Sequence, residues 1–295
     1  MTPSSPAPLP LEHLGVIAVR GSDARKFLQG QLSQDVLGLA EGRVEWAGLH
    51  NPQGRVLALL RLVPDGATDV LCVLPRELIG ETVALLRKFL LRAKATLADE
   101  TTGWQVSGMA DDDSLPASPG SARRDGARIL WRHAADGRVL CLAPRTIPLE
   151  GAAAGVAVSA HAPLVADPDA LNAWQRADVT AGLPEISLAT RGEFVAQMLN
   201  LDALGGISFN KGCYTGQEVI ARAHYRGRVK RRAQHFVLPS AAPLAAGDSV
   251  MLADGRSATV VLEAASAAGR RDVLAVTQMI EGDTLALPLS YPLPD

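Results

Sequence analysis

Beyond Ala233 the sequence loses its helical periodicity, and no other feature constrains the fold as much. What remains is a series of short β-type runs, Gln234–Leu238, Ser249–Leu252, Ala258–Leu262, Val273–Gln278 and Thr284–Leu287, separated by Gly, Asp and Pro. Runs of this kind predict a small all-β closing domain, a barrel. Upstream, strands and helices are mixed. Strands with helices, then strands alone, predict an α+β protein of several domains, and 295 residues are enough for two or three hydrophobic cores. There is no internal repeat.

The mixed region opens with a strand from Gly15 to Arg20 and a turn at Gly21-Ser22-Asp23. A helix follows through Ala24, Phe27, Leu28 and Leu32. Strands at Arg43–Leu49 and Arg55–Val63 flank Asn51-Pro52-Gln53-Gly54, a tight turn. Another strand, Asp69–Leu74, leads into an amphipathic helix from Glu77 to Ala93. Its stripe is Val83, Leu86 and Leu90, and Arg87, Lys88, Arg92 and Lys94 crowd another region, either a solvated face or an anion site. Residues 111–120 read as a mobile, sequence-tolerant loop. A hairpin is expected around Asp136-Gly137. A further helix carries Trp174, with Asp167 as cap, Pro168 at its first position, and Gly182 and Pro184 as terminators.

A 47% hydrophobic, 20% charged composition excludes a mostly disordered chain, and a net charge of -2 excludes a uniform field toward nucleic acid or membrane. The first ten residues read as a floppy Pro/Ser leader rather than a signal peptide. No apolar run approaches the ~18 residues of a membrane span. The three cysteines are odd in number and widely spaced, which fits neither a disulfide framework nor a paired-cysteine metal site and points to the cytoplasm. Cys72 and Cys141 sit in apolar alternations and read as buried strand residues.

Residues 205–232 stand apart. Thr215-x-x-Glu218 before Val219-Ile220 has the form of a capping box, so a helix is expected from about Gly216. Cys213 then lies just outside a helix N-terminus with Lys211 nearby, an arrangement expected to lower a thiol pKa. Gly205, Gly206, Gly212 and Gly216 allow close backbone approach. Seven cations (Lys211, Arg222, Arg226, Arg228, Lys230, Arg231 and Arg232) against Glu218 give +6 here and leave -8 for the rest of the chain. Tyr214 and Tyr225, two of the three tyrosines, lie among them. Rings interleaved with cations suit an aromatic anion or a nucleic-acid backbone.

Lys211-Gly212-Cys213-Tyr214-Thr215-Gly216-Gln217-Glu218 is similar to the defining motif of the YgfZ family, folate-binding proteins related to the T-protein (aminomethyltransferase) of the glycine cleavage system. Phe27-Leu28-Gln29-Gly30-Gln31-Leu32 resembles the family's first helix and Asn51-Pro52-Gln53-Gly54-Arg55 its first hairpin. The stretch Asn200 to Phe209, and Tyr225-Arg226-Gly227 with Lys230-Arg231, resemble the flanks of the motif. The resemblance implies a three-domain cloverleaf: residues 1–50 with 162–232 as a discontinuous folate-binding domain, 51–161 as an α+β ferredoxin-like domain, and 233–295 as a β-barrel.

It further implies a cytoplasmic tetrahydrofolate-binding accessory protein for assembly or repair of iron–sulfur clusters in client enzymes, some of which modify tRNA. Its partners would be iron–sulfur client or assembly proteins, with tRNA involved indirectly and no membrane or resident metal. Cys213 and Lys211 take the reactive roles. Trp174, Tyr214, Gln217, Glu218, Arg222 and Arg226 bind the folate, and Gly212, Thr215 and Gly216 shape the motif. Where the T-protein has aspartates after its hairpin glycines, this chain has Val56-Leu57-Ala58-Leu59, which removes the acid–base part of aminomethyl transfer and argues against classical turnover. A family tryptophan is replaced by Leu14, and an acidic residue by Thr180, near which Asp178 offers a carboxylate. A folate-dependent one-carbon transferase and a tRNA- or RNA-binding module using residues 211–232 are the alternative readings.

Overall fold

The computed structural model describes residues 7–145, 166–227, 229–239 and 242–294. The leader as far as Pro6, the boundary expected at 161/162 and Arg228 lie outside the described residues. In chain order the first elements are β1 (Leu9–Pro10), β2 (Leu14–Arg20), α1 (Ala24–Gln29), β3 (Glu45–His50), β4 (Val56–Asp65), β5 (Asp69–Pro75), α2 (Ile79–Leu90) and β6 (Thr96–Asp99). Then come β7 (Trp104–Met109), β8 (Ala122–Asp125), β9 (Arg128–Arg132), β10 (Val139–Pro144), α3 (Pro168–Ala181) and α4 (Gln217–Tyr225). The closing strands are β11 (Arg231–Pro239), β12 (Ser249–Met251), β13 (Ser257–Ala265) and β14 (Arg270–Gln278). Two compact units divide the chain: Met1–Phe27, Gly38–Glu45 and Arg61–Leu171 form one, and Leu28–Leu37, Trp46–Leu60 and Asn172–Asp295 the other.

The first unit contains the sheet β1-β7-β10-β9-β8. The other five-stranded sheet has the order β3-β4-β5-β2-β6, and β4 passes from the second unit into the first after Leu60. Strands β2 and β5 are buried along almost their whole length, as strands covered on both faces are. Burial raises the Cys72 thiol to about 12 and, against nearby Arg128 and Arg123, the Cys141 thiol to about 11, so both behave as the inert strand residues the alternation predicts. Leu9 and Pro10, expected in the floppy leader, instead pair with Gly108 and Ser107 as an edge strand, where a proline is tolerated. Helix α1 is shorter than its apolar spacing suggests. It ends at Gln29, and Leu32 bridges to Leu49. Helix α2 starts at Ile79 and buries Ile79, Thr82, Val83 and Leu86, while Leu90 stays at the margin.

Within the loop at 111–120, one guanidinium gathers the first half. Arg132, at the end of β9, is buried and forms an ion pair with Asp111. It also donates to the carbonyls of Asp112 (2.9 Å), Leu115 (2.9 Å), Pro116 (3.3 Å) and Gly137 (2.5 Å). Leu115 is thereby tucked in against Leu130, Val139, Cys141 and Ala143.

In the second unit the closing strands form an antiparallel sheet, β11-β14-β13-β12, over a core of Phe236, Leu252, Ala258, Val260, Val273 and Ala275. A bulge between Val260 and Leu262 bends β13 and curls the sheet into a half-barrel. Thr284–Leu287 does not add a strand. Only Leu287 bridges, its amide donating to the His235 carbonyl at 2.8 Å. Helix α3 has the ends its sequence predicts. The Asp167 carboxylate accepts from the Asp169 amide (3.1 Å), and Gly182 leaves the helix at φ 76°. The exposed carbonyls of its last turn are taken by Ser290 (to Ala181, 2.7 Å) and Tyr291 (to Gly182, 2.6 Å). Arg176 on α3 and His235 on β11 share Asp272, at 2.9 and 2.7 Å.

Arg132→Ala leaves several loop carbonyls without donors and should cost about 2–3 kcal/mol in urea unfolding, with residues 111–116 losing hydrogen-exchange protection first.

Candidate functional site

The segment from Gly205 to Gly216 has no regular structure of its own, and side chains of residues 29–34 give it its shape. The Ser33 hydroxyl donates to the Gly206 carbonyl (2.6 Å) and accepts from the Gly48 amide (2.8 Å). Gln34 donates to the Gly205 carbonyl (2.6 Å), and the Ser208 amide donates to the Ser33 carbonyl (2.9 Å). Lys211 completes the seat, its ammonium donating to the carbonyls of Gln29 (2.5 Å), Leu32 (2.6 Å) and Gln34 (3.0 Å). Three carbonyls take up all three ammonium donors, so the partnership with Cys213 expected from spacing is replaced by a structural one. The same ammonium sits 4.9 Å from the centroid of the Tyr214 ring.

The start of α4 is set by backbone fit rather than by a capping box. No side chain caps the helix: its N-cap is Gly216, in the left-handed region at φ 82°, so neither Thr215 nor Glu218 takes the role the sequence suggests. The reason lies in the hairpin tip between β3 and β4. A Cβ on Gly216 would lie 2.6 Å from the Asn51 carbonyl and 2.9 Å from Gly54 Cα. A Cβ on Gly54 would lie 2.9 Å from Val219 Cβ. The two glycines, 162 positions apart in sequence, allow hairpin tip and helix start to touch main chain to main chain. Gly212 is different: it is exposed, and nothing lies within 4 Å of where a Cβ would stand.

Around this contact the expected site residues separate into two groups. Tyr214 is buried, which raises its phenol to about 12, and burial lowers Lys211 from 10.5 to about 8 against a smaller upward pull from Asp35. Trp174 is also buried, on α3, while Thr180 turns its hydroxyl back to the Arg176 carbonyl (2.9 Å). Cys213, Glu218, Arg222 and Arg226 are exposed, and Thr215 and Gln217 are half-buried. Glu218, Arg222 and Arg226 line one open groove with Ala221 and Tyr225. The +6 stretch is correspondingly weaker at the surface. Arg232 is buried in a two-pronged pair with Asp202 (2.8 and 2.9 Å) and donates to the Gln197 carbonyl (3.0 Å).

Two buried polar side chains beside the motif escaped the sequence reading. His50 closes β3 and faces the Tyr214 ring, centroids 6.2 Å apart. It is 1% exposed with neither ring nitrogen hydrogen-bonded, and burial lowers it to about 3, so it is a neutral imidazole. Gln197 holds α4 by donating to the Ile220 carbonyl (2.7 Å), while its own carbonyl oxygen has no partner. The signal for His50 was its place directly before Asn51-Pro52-Gln53-Gly54. Gln197 gave none.

No family model matches the chain. An uncharacterized protein of Haemophilus influenzae is 30% identical over 217 residues, 73% of this chain and 68% of that protein. A protein of Escherichia fergusonii named tRNA-modifying protein YgfZ is 31% identical over 246 residues, 78% of this chain and 72% of that protein. The chain belongs to the YgfZ family. Its fold is that of the glycine cleavage T-protein: the crystal structure of aminomethyltransferase T from Bartonella henselae matches with a TM-score of 0.59 at 15% identity, over 93% of this chain and 79% of that one.

Gly216→Ala should cost about 2–4 kcal/mol in denaturant unfolding, because a left-handed alanine is disfavoured by about 1–2 kcal/mol before its overlap with Asn51 and Gly54 is counted. Lys211 gives a pH signature. Between its lowered value of about 8 and its ordinary 10.5, the unfolded chain keeps a proton that the folded chain has released, so wild-type stability should rise with pH across that window relative to Lys211→Met. Parallel urea titrations of the two proteins measure the difference.

Proposed function

We propose that this protein is a cytoplasmic tetrahydrofolate-binding accessory factor that supports assembly or repair of iron–sulfur clusters in client enzymes, some of them tRNA-modifying. The observation that carries the reading is the motif itself: a YgfZ-family motif on a T-protein scaffold, with its buried half clamped by Lys211 and its one cysteine exposed. Buried polar and aromatic groups of the kind a pterin uses support the reading. The free acceptor of Gln197 and the ring nitrogens of His50 are hydrogen-bonding capacity that a heterocycle edge can use, and Trp174 and Tyr214 offer ring surfaces. Tetrahydrofolate, when bound, supplies a carrier of one-carbon units.

Cys213 is the group that meets a client. An iron–sulfur cluster normally takes four protein ligands, so one exposed thiol can hold a cluster only when it is shared with another molecule. The apolar run Val56-Leu57-Ala58-Leu59 follows the hairpin tip, so no carboxylate there can protonate or orient an amine, which favours binding and hand-over above aminomethyl transfer.

Titration with tetrahydrofolate should quench tryptophan fluorescence saturably in the wild type and much less in Trp174→Phe. Absence of a response in both proteins would remove the folate part of the reading. Cys213→Ser should lower the activity of dependent iron–sulfur enzymes in cells under oxidative stress, and full activity in that variant would remove the thiol part.

A further inference from the structure

Helix α4 has two unlike faces. Ile220 is turned inward and fully buried. On the outer face Glu218, Ala221, Arg222, Tyr225 and Arg226 follow the spacing of a single helical stripe and line a groove of about 580 Å³. A stripe with that spacing ordinarily packs on a core, whereas this one is solvated and carries two arginines and a tyrosine. Four of the five residues lie on α4 and Arg226 caps its end, so the groove is walled on one side only. A ligand lying there keeps its other side in water, which suits a polymer crossing the helix better than a small molecule that needs enclosure.

The ring at the centre of this face is fixed in place. Phe209 stacks on His224 with centroids 3.7 Å apart and planes 13° from parallel. Tyr225 stands edge-on to both, at 5.9 and 4.7 Å, yet is 65% exposed. Beside it in the groove Arg222 and Arg226 are exposed, and neither has an ion-pair partner among the described residues. A propped, solvent-facing ring among unpaired cations matches the two components of single-strand recognition, base stacking and phosphate attraction.

We propose that the outer face of α4 binds single-stranded nucleic acid, with an unstacked base on the Tyr225 ring and the flanking phosphates on Arg222 and Arg226. The proposal gives Arg222 and Arg226, which the family resemblance assigns to folate, to a separate ligand, and leaves the folate reading on the buried half of the motif.

Fluorescence anisotropy of the full chain with a labelled oligouridylate tests it, with the matching single-stranded DNA, a duplex RNA and polyglutamate as further probes. Single strands should bind more tightly than the duplex, and Tyr225→Ala should weaken binding by about 10-fold while Tyr225→Phe retains it. Arg226→Gln should reduce the salt slope by about 0.7 for the lost phosphate contact. Tighter binding of RNA than of DNA assigns the site to RNA, and equal binding assigns it to single strands of either kind. The proposal is overturned if Tyr225→Ala binds as wild type does, or if polyglutamate or the duplex binds as well as the single strand. Tetrahydrofolate quenching should be unchanged in Tyr225→Ala, so failure here and failure of the folate reading give different results.

Discussion

The candidate site depends on a lysine that is surrounded by main chain. A stretch such as Gly205 to Gly216, rich in glycine and without ladder hydrogen bonds, has many conformations open to it, and fixing each residue opposes folding by about 1–2 kcal/mol. What selects one conformation is the Lys211 ammonium drawn into the carbonyls of Gln29, Leu32 and Gln34, reinforced by Ser33 and Gln34 on the carbonyls of Gly205 and Gly206. The placement of Cys213 and Tyr214 follows from that seat.

The lysine and the glycines act at different levels of the structure. Lys211 fixes where the loop lies, and Gly54 with Gly216 fixes how closely the hairpin tip may approach the helix that follows. The outcome is a motif with an inner side, the buried Tyr214 and half-buried Lys211 near His50, and an exposed side, Cys213 and the outer stripe of α4. Under the proposed function, that division would let one short segment serve two kinds of contact, one with a heterocycle and one with a larger partner.

Much of this was legible in the sequence because local chemistry decides it. The ends of α3 follow from Asp167, Pro168 and Gly182, the buried strands around Cys72 and Cys141 from apolar alternation, and the turn at Asn51–Gly54 from its composition. The misreadings arose where a distant group overrides a local preference. Thr215-x-x-Glu218 has the right residues for a capping box, but contact with Gly54 imposes a left-handed Gly216 instead. Lys211 is two residues from Cys213 in sequence, yet its donors are taken by carbonyls from a segment about 180 positions earlier. Arg232 counted toward a surface charge until Asp202 was found beside it, and His50 gave no periodic signal because it ends its strand.

Arg132 shows what this style of anchoring means for variation among sequences. Apart from Asp111, its partners in the loop are carbonyl oxygens, which every amino acid possesses. Exposed side chains such as those of Asp113 and Pro116 can therefore vary while the guanidinium still finds its acceptors, whereas inserting or deleting one residue moves every oxygen at once. Such a segment is held to its length and path more than to its letters; Lys211 places the same demand on Gln29 to Gln34, where the Ser33 and Gln34 side chains add a demand on identity.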